Sequence, residues 1–417
     1  MRTLTTLAAS TDTLGLVIGV RQLKNGQLLV SDGGHRRLLM LDPTLRTTSV
    51  VLDSAPGKVN SYGSRATPIL AYLGDSSLIF DFAAQTMVLI GPSGAVGRAM
   101  AVPNPRDLQT MAGSLAGIDD RGRFVYRGLS RKRGGKVGAN ASPLMVVNDN
   151  TNGTQSNADS VPLLRVDFQS RQVDTIADLK NFFSRRIQLD STPEGRPIIR
   201  SYNNPAPLSD EWAMLSDGTI AMVRGHDYHV DWLASDGRIS STGKTPFDWK
   251  RLTDDDKRRM IDSARVRDSL ETETRLSIQR AAEARAKAAG RVSNASTASG
   301  RGGGEPNAFT SNRPGGLPIM QTKYVALSEM PDYLPPVRNG ALRGDADDNL
   351  WILPTTSAQS QRGELVYDVV NRKGELFERV RIPLGRVIAG FGQGGIVYLT
   401  SGSIKGGFHL ERAKIAK

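Results

Sequence analysis

Short apolar runs separated by tight polar turns occupy most of the chain. In residues 20–32, two apolar segments flank Asn25-Gly26, and a third segment at residues 38–41 precedes another turn at residues 42–43. Asn-Gly between apolar runs is a strong hairpin signal, because a type I′ turn needs two consecutive residues with positive φ. The pattern therefore predicts consecutive antiparallel strands.

Five further copies of this unit follow the first. The first turns of the six copies are centred near residues 26, 76, 122, 218, 349 and 394. Three of their spacings, 50, 46 and 45 residues, match the period of about 40–50 residues of a four-stranded propeller blade. The other two spacings, 96 and 131 residues, contain insertions. The repeat predicts an all-β fold: a six-bladed β-propeller of four-stranded antiparallel blades, in one domain over residues 1–417.

Three insertions interrupt the repeat, at residues 140–160, 181–210 and 246–337. In the last of these, Thr253 precedes three aspartates, a pattern typical of a helix N-terminus. We expect a helix over residues 254–289 and a flexible Gly/Ser/Asn-rich linker over residues 291–316. None of the insertions shows a second strand-turn-strand pattern, so six blades are favoured over seven.

The two ends of the chain predict how the ring of blades closes. The sixth copy has three clear strands, and residues 3–8 have the pattern of a short edge strand that could supply the fourth. The N-terminal residues contain no continuous apolar segment of the length that a secretory signal needs. The sequence as written therefore predicts no signal peptide.

Four segments carry a resemblance to known propellers. The segment Leu-Leu-Val-Ser-Asp-Gly-Gly-His-Arg-Arg-Leu-Leu-Met-Leu-Asp-Pro at residues 28–43 resembles an NHL-type blade. Residues 210–237, 330–336 and 345–353 resemble bacterial six-bladed β-propeller proteins of the Gemmatimonas type. The resemblance implies a fold and no particular reaction. It also implies a periplasmic or secreted location, because such proteins carry an N-terminal export or lipoprotein segment that this sequence lacks as written.

The predicted topology separates two faces. In a four-stranded blade, the turns that join the first strand to the second and the third to the fourth lie on one face, here called the turn face. The connections between second and third strands, and those between blades, lie on the opposite loop face. All three insertions fall on the loop face, and insertions in a repeat scaffold concentrate where it recognises ligands. We therefore expect a non-catalytic binding or interaction scaffold that uses the loop face.

Several polar residues of the loop face are candidates for binding. They are His35, Arg65, Tyr202, Asn203, Asp210, His226, Asp227 and His229. A His-x-x-His pair with an aspartate offers ordinary Zn²⁺ ligands. On an extended segment, however, side chains three residues apart point to opposite sides. A hydrogen-bonding role within the loop is favoured, and we predict no metal and no catalytic residue.

Charge and composition add a possible partner class and exclude others. The net charge is +12, and a basic cluster opens the first insertion: Arg127, Arg131, Lys132, Arg133 and Lys136. Such a cluster suits an anionic partner, although a solvated loop is the simpler interpretation, and no nucleic-acid motif accompanies it. Only 39% of residues are hydrophobic and there is no cysteine, which exclude a transmembrane bundle, disulfides and a thiol nucleophile.

An enzymatic alternative remains open at this point. Some six-bladed propellers are calcium-dependent lactonases or esterases that act at the mouth of the central channel, and Ca²⁺ needs several carboxylate oxygens. Only the fourth copy offers acids at the start of its first strand, Asp210 and Glu211. No Gly-x-Ser-x-Gly, His-Glu-x-x-His or phosphate-loop motif is present. We favour a monomeric scaffold without a cofactor, binding a protein or an anionic ligand; Ca²⁺ belongs only to the alternative.

Overall fold

The structure is a computed structural model. It describes residues 1–53, 67–82, 84–102, 116–128, 160–180, 185–193, 197–288, 319–357, 364–403 and 406–416. The predicted insertion at residues 140–160, apart from Ser160, and the predicted linker at residues 291–316 lie outside these residues.

Strands make up about half of the described chain. The first thirteen are β1 (Leu4–Ala9), β2 (Val17–Gln22), β3 (Leu28–Asp32), β4 (Arg37–Leu41), β5 (Thr47–Asp53), β6 (Leu70–Ala71), β7 (Ser77–Asp81), β8 (Thr86–Ile90), β9 (Val96–Ala101), β10 (Ala116–Ile118), β11 (Phe124–Arg127), β12 (Ser160–Val166) and β13 (Val173–Lys180). The next elements are β14 (Arg185–Ser191), β15 (Pro197–Asn203), β16 (Glu211–Met214), β17 (Ile220–Arg224), β18 (His229–Leu233), β19 (Ile239–Ser241) and the helix α1 (Asp254–Ala288). The remaining strands are β20 (Ile319–Tyr324), β21 (Leu342–Gly344), β22 (Leu350–Ile352), β23 (Leu365–Val370), β24 (Leu376–Ile382), β25 (Arg386–Gly392), β26 (Ile396–Ser403) and β27 (Gly407–Ile415).

Six sheets coincide with the six sequence repeats. Sheet 1 contains β2–β5, sheet 2 β6–β9, sheet 3 β10–β13, sheet 4 β16–β19, sheet 5 β21–β24, and sheet 6 β25, β26, β27 and β1. Every strand pair within them is antiparallel. The predicted all-β fold of four-stranded antiparallel sheets is thus confirmed, and its architecture is that of a β-propeller.

The N-terminal strand completes sheet 6, as predicted. β1 pairs antiparallel with β27, so that Leu4 lies opposite Ile415 and Ala9 opposite Glu411. The two ends of the described chain therefore meet in one sheet, and β27 has a hydrogen-bonded neighbour on both sides. This pairing removes an open edge that could otherwise pair with another chain.

Consecutive sheets contact one another, and sheet 6 returns to sheet 1. The ion pair Arg21–Asp75 joins sheets 1 and 2, the rings of Phe80 and Phe124 join sheets 2 and 3, and Asp120 lies close to Gly218 between sheets 3 and 4. The hydrogen bond Ser216–Asp348 joins sheets 4 and 5, that between Asp347 and Gly394 joins sheets 5 and 6, and Gly390 lies close to Val20 between sheets 6 and 1. The first strands lie beside each other, with β25 next to β2, β6 next to β10, β10 next to β16, and β16 next to β21. The first strands therefore lie innermost.

Apolar side chains fill the spaces between neighbouring sheets. Phe80 of sheet 2 packs with Phe124 and Tyr126 of sheet 3. Trp351 of sheet 5 packs with Phe391 of sheet 6, with ring centroids 5.0 Å apart. Because strand residues alternate between the two sides of a sheet, each sheet contributes to two such cores.

The expectation that the insertions hold no second strand-turn-strand unit was wrong. β14 and β15, in the insertion before sheet 4, form an antiparallel hairpin, and β20, in the insertion before sheet 5, pairs parallel with β15. The insertion between sheets 4 and 5 is therefore not only helical and irregular. A parallel pairing between segments so far apart in sequence leaves no local pattern. We call β14, β15, β20 and α1 the insertion module.

Helix α1 lies where the charge pattern predicts a helix. The Asp256 backbone N–H donates to Thr253 Oγ1 at 3.2 Å, and the Thr253 N–H donates to Asp256 Oδ2 at 3.1 Å, which caps the first turn. Ile261 is buried in one apolar cluster with Val325, which directly follows β20. Within the residues that the structure describes, no helix is both long and apolar enough to cross a membrane.

Candidate functional site

The two faces differ in how their connections are held. On the turn face, short turns are closed by their own side chains. In sheet 3, Asp119 Oδ1 accepts the N–H groups of Arg121 at 3.1 Å and Arg123 at 2.9 Å. In sheet 5, Asp345 Oδ1 does the same for Asp347 and Asn349. The loop face instead carries the insertion module and the connections between sheets.

The loop-face connections of sheets 1 and 4 share one design. Each spans four residues, 33–36 and 225–228, between strand residues that pair directly. The last residue of each has a left-handed backbone, with φ of 54° at Arg36 and 53° at Tyr228. His35 and Asp227 occupy equivalent positions just before that residue.

In sheet 1, buried Asp32 organises the loop. Its Oδ1 accepts the N–H groups of Gly15 at 2.9 Å and Leu16 at 3.2 Å, while Oδ2 receives His35 Nδ1 at 2.8 Å and Arg37 Nη2 at 3.2 Å. Burial would raise the pKa of Asp32, but the hydrogen bonds, led by the one from His35, lower it. His35 is thus held by a carboxylate, with about half of its side chain exposed.

In sheet 4, buried Asp210 has a similar role. Its Oδ1 accepts the Gly225 N–H at 3.0 Å, and its Oδ2 accepts the Lys180 N–H at 3.0 Å and Arg224 Nη1 at 2.8 Å. Arg224 Nε also donates to Asp231 Oδ2 at 2.7 Å. Asp210 is 2% exposed, so its lone pairs are taken by the protein itself.

His229 lies between two carboxylates. Its Nδ1 is 2.7 Å from Asp227 Oδ1, and its Nε2 is 3.1 Å from Asp231 Oδ1, which also accepts the Ser241 hydroxyl at 2.6 Å. Burial would raise the pKa of Asp231, but Ser241 and Arg224 together lower it. We call Asp210, Arg224, Asp227, His229 and Asp231 the blade-4 network. The two acids contact opposite edges of the imidazole, which leaves neither ring nitrogen open to an ion.

Glu211 joins three sheets at the loop face. Its Oε1 accepts Arg127 Nη2 of sheet 3 at 2.9 Å, and its Oε2 accepts the Gly340 N–H, next to sheet 5, at 3.2 Å. Glu211 is fully buried, and burial raises its pKa although Arg127 opposes the shift. Arg127, placed in the basic cluster by its sequence position, is therefore engaged in an ion pair.

The remaining candidates are distributed over separate places. Tyr202 packs in the apolar core of the insertion module, and Asn203 Oδ1 accepts the Ser201 hydroxyl at 3.1 Å. His226 is exposed at the tip of the sheet 4 loop. Arg65 and the cluster members Arg131, Lys132, Arg133 and Lys136 lie outside the described residues. Of the predicted residues, the structure thus brings together Asp210, Asp227 and His229.

Sequence reasoning missed two members of the blade-4 network, Arg224 and Asp231. The pairing of Arg224 opposite His229 places Asp231 on the same side of the sheet as both. A register drawn from the loop length would have indicated this grouping. In the part of the chain that the structure describes, no three His, Asp or Glu side chains converge as metal ligands.

A pair of arginines on the loop face was also missed. Arg267 is on α1, and Arg338 lies just before β21. Burial lowers the pKa of Arg338, and the neighbouring positive charge of Arg267 lowers it further. Neither guanidinium forms an ion pair with an acid of the described chain. No sequence motif connects them, because the module brings them together.

Comparisons with known proteins return only distant structural neighbours. No protein-family model matches the chain, and no curated protein matches it. A DUF4221 family member from Bacteroides vulgatus is similar at 9% identity and a TM-score of 0.45, covering 99% of this chain and 98% of the other. An exported protein from Bacteroides fragilis is similar at 10% identity and a TM-score of 0.43, covering 99% of this chain and 95% of the other. A catalytically inactive virginiamycin B lyase from Staphylococcus aureus, with quinupristin, is similar at 11% identity and a TM-score of 0.40, covering 99% of this chain and 99% of the other. Similarity at this level carries no argument about activity.

Proposed function

We propose that the protein is a non-catalytic binding scaffold that recognises an anionic partner on its loop face. The observation that carries this proposal is the asymmetry between the faces. Short turns closed by their own side chains occupy the turn face, whereas the insertion module and the long connections lie on the loop face. Recognition in repeat scaffolds is concentrated on the face that carries insertions.

The scaffold in this proposal is a single six-bladed ring, in which sheets 1 to 6 are the blades. Two observations support this count. The contacts between sheets run from sheet 1 to sheet 6 and return to sheet 1. The seventh sheet has three strands, includes a parallel pair and is assembled from two insertions. It therefore belongs to the insertion module and not to the ring.

Positive charge on the loop face favours an anionic partner. Arg267 of the module and Arg338 next to sheet 5 are both exposed, and neither forms an ion pair with an acid of the described residues. Like charges that are not neutralised by nearby acids attract an anionic group, because its approach relieves their repulsion. A carboxylate-rich protein surface or an acidic polymer has the required chemistry. The cluster Arg131, Lys132, Arg133 and Lys136 is proposed to extend this surface.

The hydrolase alternative would need free carboxylates at the mouth of the ring. Asp210 and Glu211 are buried and hydrogen-bonded to arginines and to backbone N–H groups. Recruiting them for Ca²⁺ would leave Arg127 without its acid and Arg224 with Asp231 alone, which is costly for partly buried charges. The residues therefore fit a structural role better than a calcium site.

Charge reversal on the two faces tests the scaffold proposal. The double variant Arg267→Glu, Arg338→Glu changes the loop face, and Arg46→Glu, Arg121→Glu changes exposed arginines of the turn face by the same net charge. We expect the loop-face variant to elute from a heparin column at clearly lower salt, and the turn-face variant to elute close to the wild type.

Equal shifts for the two variants would contradict the proposal, since retention would then follow net charge alone. Calorimetric titration with Ca²⁺ tests the hydrolase alternative separately. Binding of Ca²⁺ by the wild type that disappears in Asp210→Asn would favour the hydrolase instead.

A further inference from the structure

An arginine on an innermost strand has no ion-pair partner among the described residues. Arg343 lies on β21, directly opposite Trp351 on β22. Directly opposed residues in an antiparallel pair project from the same side of the sheet. Trp351 packs on Phe391 of sheet 6, so Arg343 also projects towards sheet 6. Arg343 therefore lies on the innermost strand of sheet 5, on the side that faces sheet 6.

The charge of Arg343 is not compensated by the described chain. The side chain is partly buried, and its Nε is fully buried without a hydrogen-bond partner. None of its nitrogens forms an ion pair with an acid of the described residues. A partly buried cation without a counter-charge is unfavourable, because burial removes hydration that nothing replaces.

Sheet 1 shows how an arginine at the equivalent position is neutralised. Arg21 is equivalent to Arg343, because each lies two residues before the first hydrogen bond of its turn, at Leu23 and at Asp345. Arg21 Nη2 donates to Asp75 Oδ1 at 2.9 Å, and Nη1 donates to the Ser76 carbonyl at 2.8 Å. The acid comes from the first turn of the next sheet, and it neutralises the guanidinium.

The next sheet after Arg343 lacks that acid. In sheet 2, Asp75 precedes Ser76, which closes the turn with Tyr72. In sheet 6, the corresponding turn joins Gly392 to Ile396, so Gly395 occupies the position of Asp75. Both positions are left-handed, with φ of 62° at Asp75 and 71° at Gly395. The turn backbone is thus similar, and its Gly394 and Gly395 N–H groups donate to Asp347 of sheet 5. Residue 395 itself, however, carries no carboxylate that could pair with Arg343 as Asp75 pairs with Arg21.

We propose that Arg343 binds a small oxyanion, a carboxylate or phosphate group, between sheets 5 and 6, beside the turn that joins Gly392 to Ile396. A guanidinium presents parallel N–H donors that match the two oxygens of such a group. The bound oxyanion takes the place that Asp75 of sheet 2 has beside Arg21 of sheet 1. This site lies beside a turn of the turn face and is separate from the partner surface proposed for the loop face.

Two substitutions at Gly395 test the proposal directly. A Cβ at this position meets only the Ile415 side chain, at 3.9 Å, and aspartate tolerates a left-handed backbone. Gly395→Asp supplies the missing carboxylate, whereas Gly395→Asn has nearly the same shape without the charge. We expect Gly395→Asp to lose binding of inorganic phosphate and of acetate in calorimetry, and Gly395→Asn to keep it.

Substitution of the arginine gives the complementary measurement. We expect Arg343→Gln to bind phosphate at least about tenfold more weakly than the wild type, because a charge-assisted hydrogen bond is lost. In buffer without either anion, Arg343→Gln should melt no lower than the wild type, since an unpaired charge has been removed. Arg46→Gln, on the turn face, is the control and should bind as the wild type does.

Three outcomes would overturn the proposal. The wild type could bind neither anion at millimolar concentration. Arg343→Gln could bind phosphate as tightly as the wild type, which would locate the site elsewhere. Arg343→Gln could also fail to fold or melt well below the wild type in anion-free buffer, which would show that the guanidinium is needed for folding. Preference for phosphate or acetate in the same titrations distinguishes the two oxyanion classes.

Discussion

Tyr228 combines a left-handed backbone with almost complete burial. Its side chain is 1% exposed, and its ring packs edge-on against Phe247 with centroids 5.3 Å apart. The hydroxyl is buried, and no described residue hydrogen-bonds to it. Burial raises the pKa of Tyr228, and the charge of Asp368 adds to the shift. The ring, and not the hydroxyl, accounts for the contribution of this side chain to stability.

Two substitutions at Tyr228 separate the ring from the hydroxyl. We expect Tyr228→Phe to leave the free energy of unfolding unchanged or to raise it by up to about 1 kcal/mol, because a buried unpaired hydroxyl is removed. Tyr228→Ala should lower it by about 3–5 kcal/mol through loss of the ring. Urea denaturation measures both. A loss of more than about 1 kcal/mol in Tyr228→Phe would show that the hydroxyl binds a water molecule or a ligand.

Glu211 gives a prediction on pH dependence. Burial raises its pKa, and Arg127 opposes the shift. Because the folded protein then holds the proton more tightly than the unfolded chain, the free energy of unfolding falls as pH rises through the interval between the two pKa values. Glu211→Gln removes this titration. We expect the variant to gain stability relative to the wild type as pH rises from about 4 to 8, measured by urea unfolding.

The opposite trend would contradict this prediction. If the wild type gains stability relative to Glu211→Gln as pH rises, the ion pair with Arg127 outweighs the burial of the carboxylate.

Turns on the turn face look alike in sequence but differ in what surrounds them. Gly218 and Gly237 both belong to Ser-Asp-Gly turns of sheet 4, with φ of 84° and 93°. A Cβ on Gly218 would lie 2.5 Å from the Asp120 backbone nitrogen of sheet 3, whereas a Cβ on Gly237 would meet nothing within 4 Å. Gly237 is therefore needed only for the left-handed backbone of its turn, whereas Gly218 also allows sheets 3 and 4 to pack closely.

Alanine at these two positions measures the difference. We expect Gly237→Ala to lower the free energy of unfolding by about 1 kcal/mol, the strain of a left-handed alanine. Gly218→Ala should lower it by about 3 kcal/mol, because the methyl group also forces sheet 3 away from sheet 4. Chemical denaturation of the pair is the measurement. Equal losses would mean that the sheets separate at no cost.

Elements with a local signal were predicted, and those that depend on distant segments were not. Asn25-Gly26 indicates the hairpin of sheet 1, and Thr253 indicates the start of α1, because turn and cap preferences act within a few residues. The parallel pairing of β15 with β20 has no such signal. The candidate site residues show the same difference. Asp210 and His229 could be picked out from the sequence, whereas the lack of an ion-pair partner for Arg343 among the described residues depends on a glycine in the next sheet.

At the scale of the whole molecule, β1 connects the two ends of the fold. Leu4 packs into the core between sheets 5 and 6, and the Ser10 N–H donates to the Leu410 carbonyl at 2.7 Å. Arg2 also donates to the Arg379 carbonyl of sheet 5, and Arg381 donates back to the Arg2 carbonyl. The first ten residues thus hold both sheet 6 and its contact with sheet 5.

Deletion of residues 2–9 tests whether this closure stabilises the whole ring. Without β1, the outer edge of β27 is unpaired, and an open edge favours both loss of stability and pairing with another chain. We expect the truncated protein to melt several degrees lower and to form dimers or larger species in light scattering.

A synthetic peptide of residues 1–10 should bind to the exposed edge and restore the melting temperature, whereas a peptide of the same composition in scrambled order should not. If the truncated protein melts like the full chain, β1 does not stabilise the ring, and the contact between sheets 6 and 1 is sufficient to close it. Recovery by the native peptide alone would show that its register against β27, with Leu4 opposite Ile415, is what completes the ring.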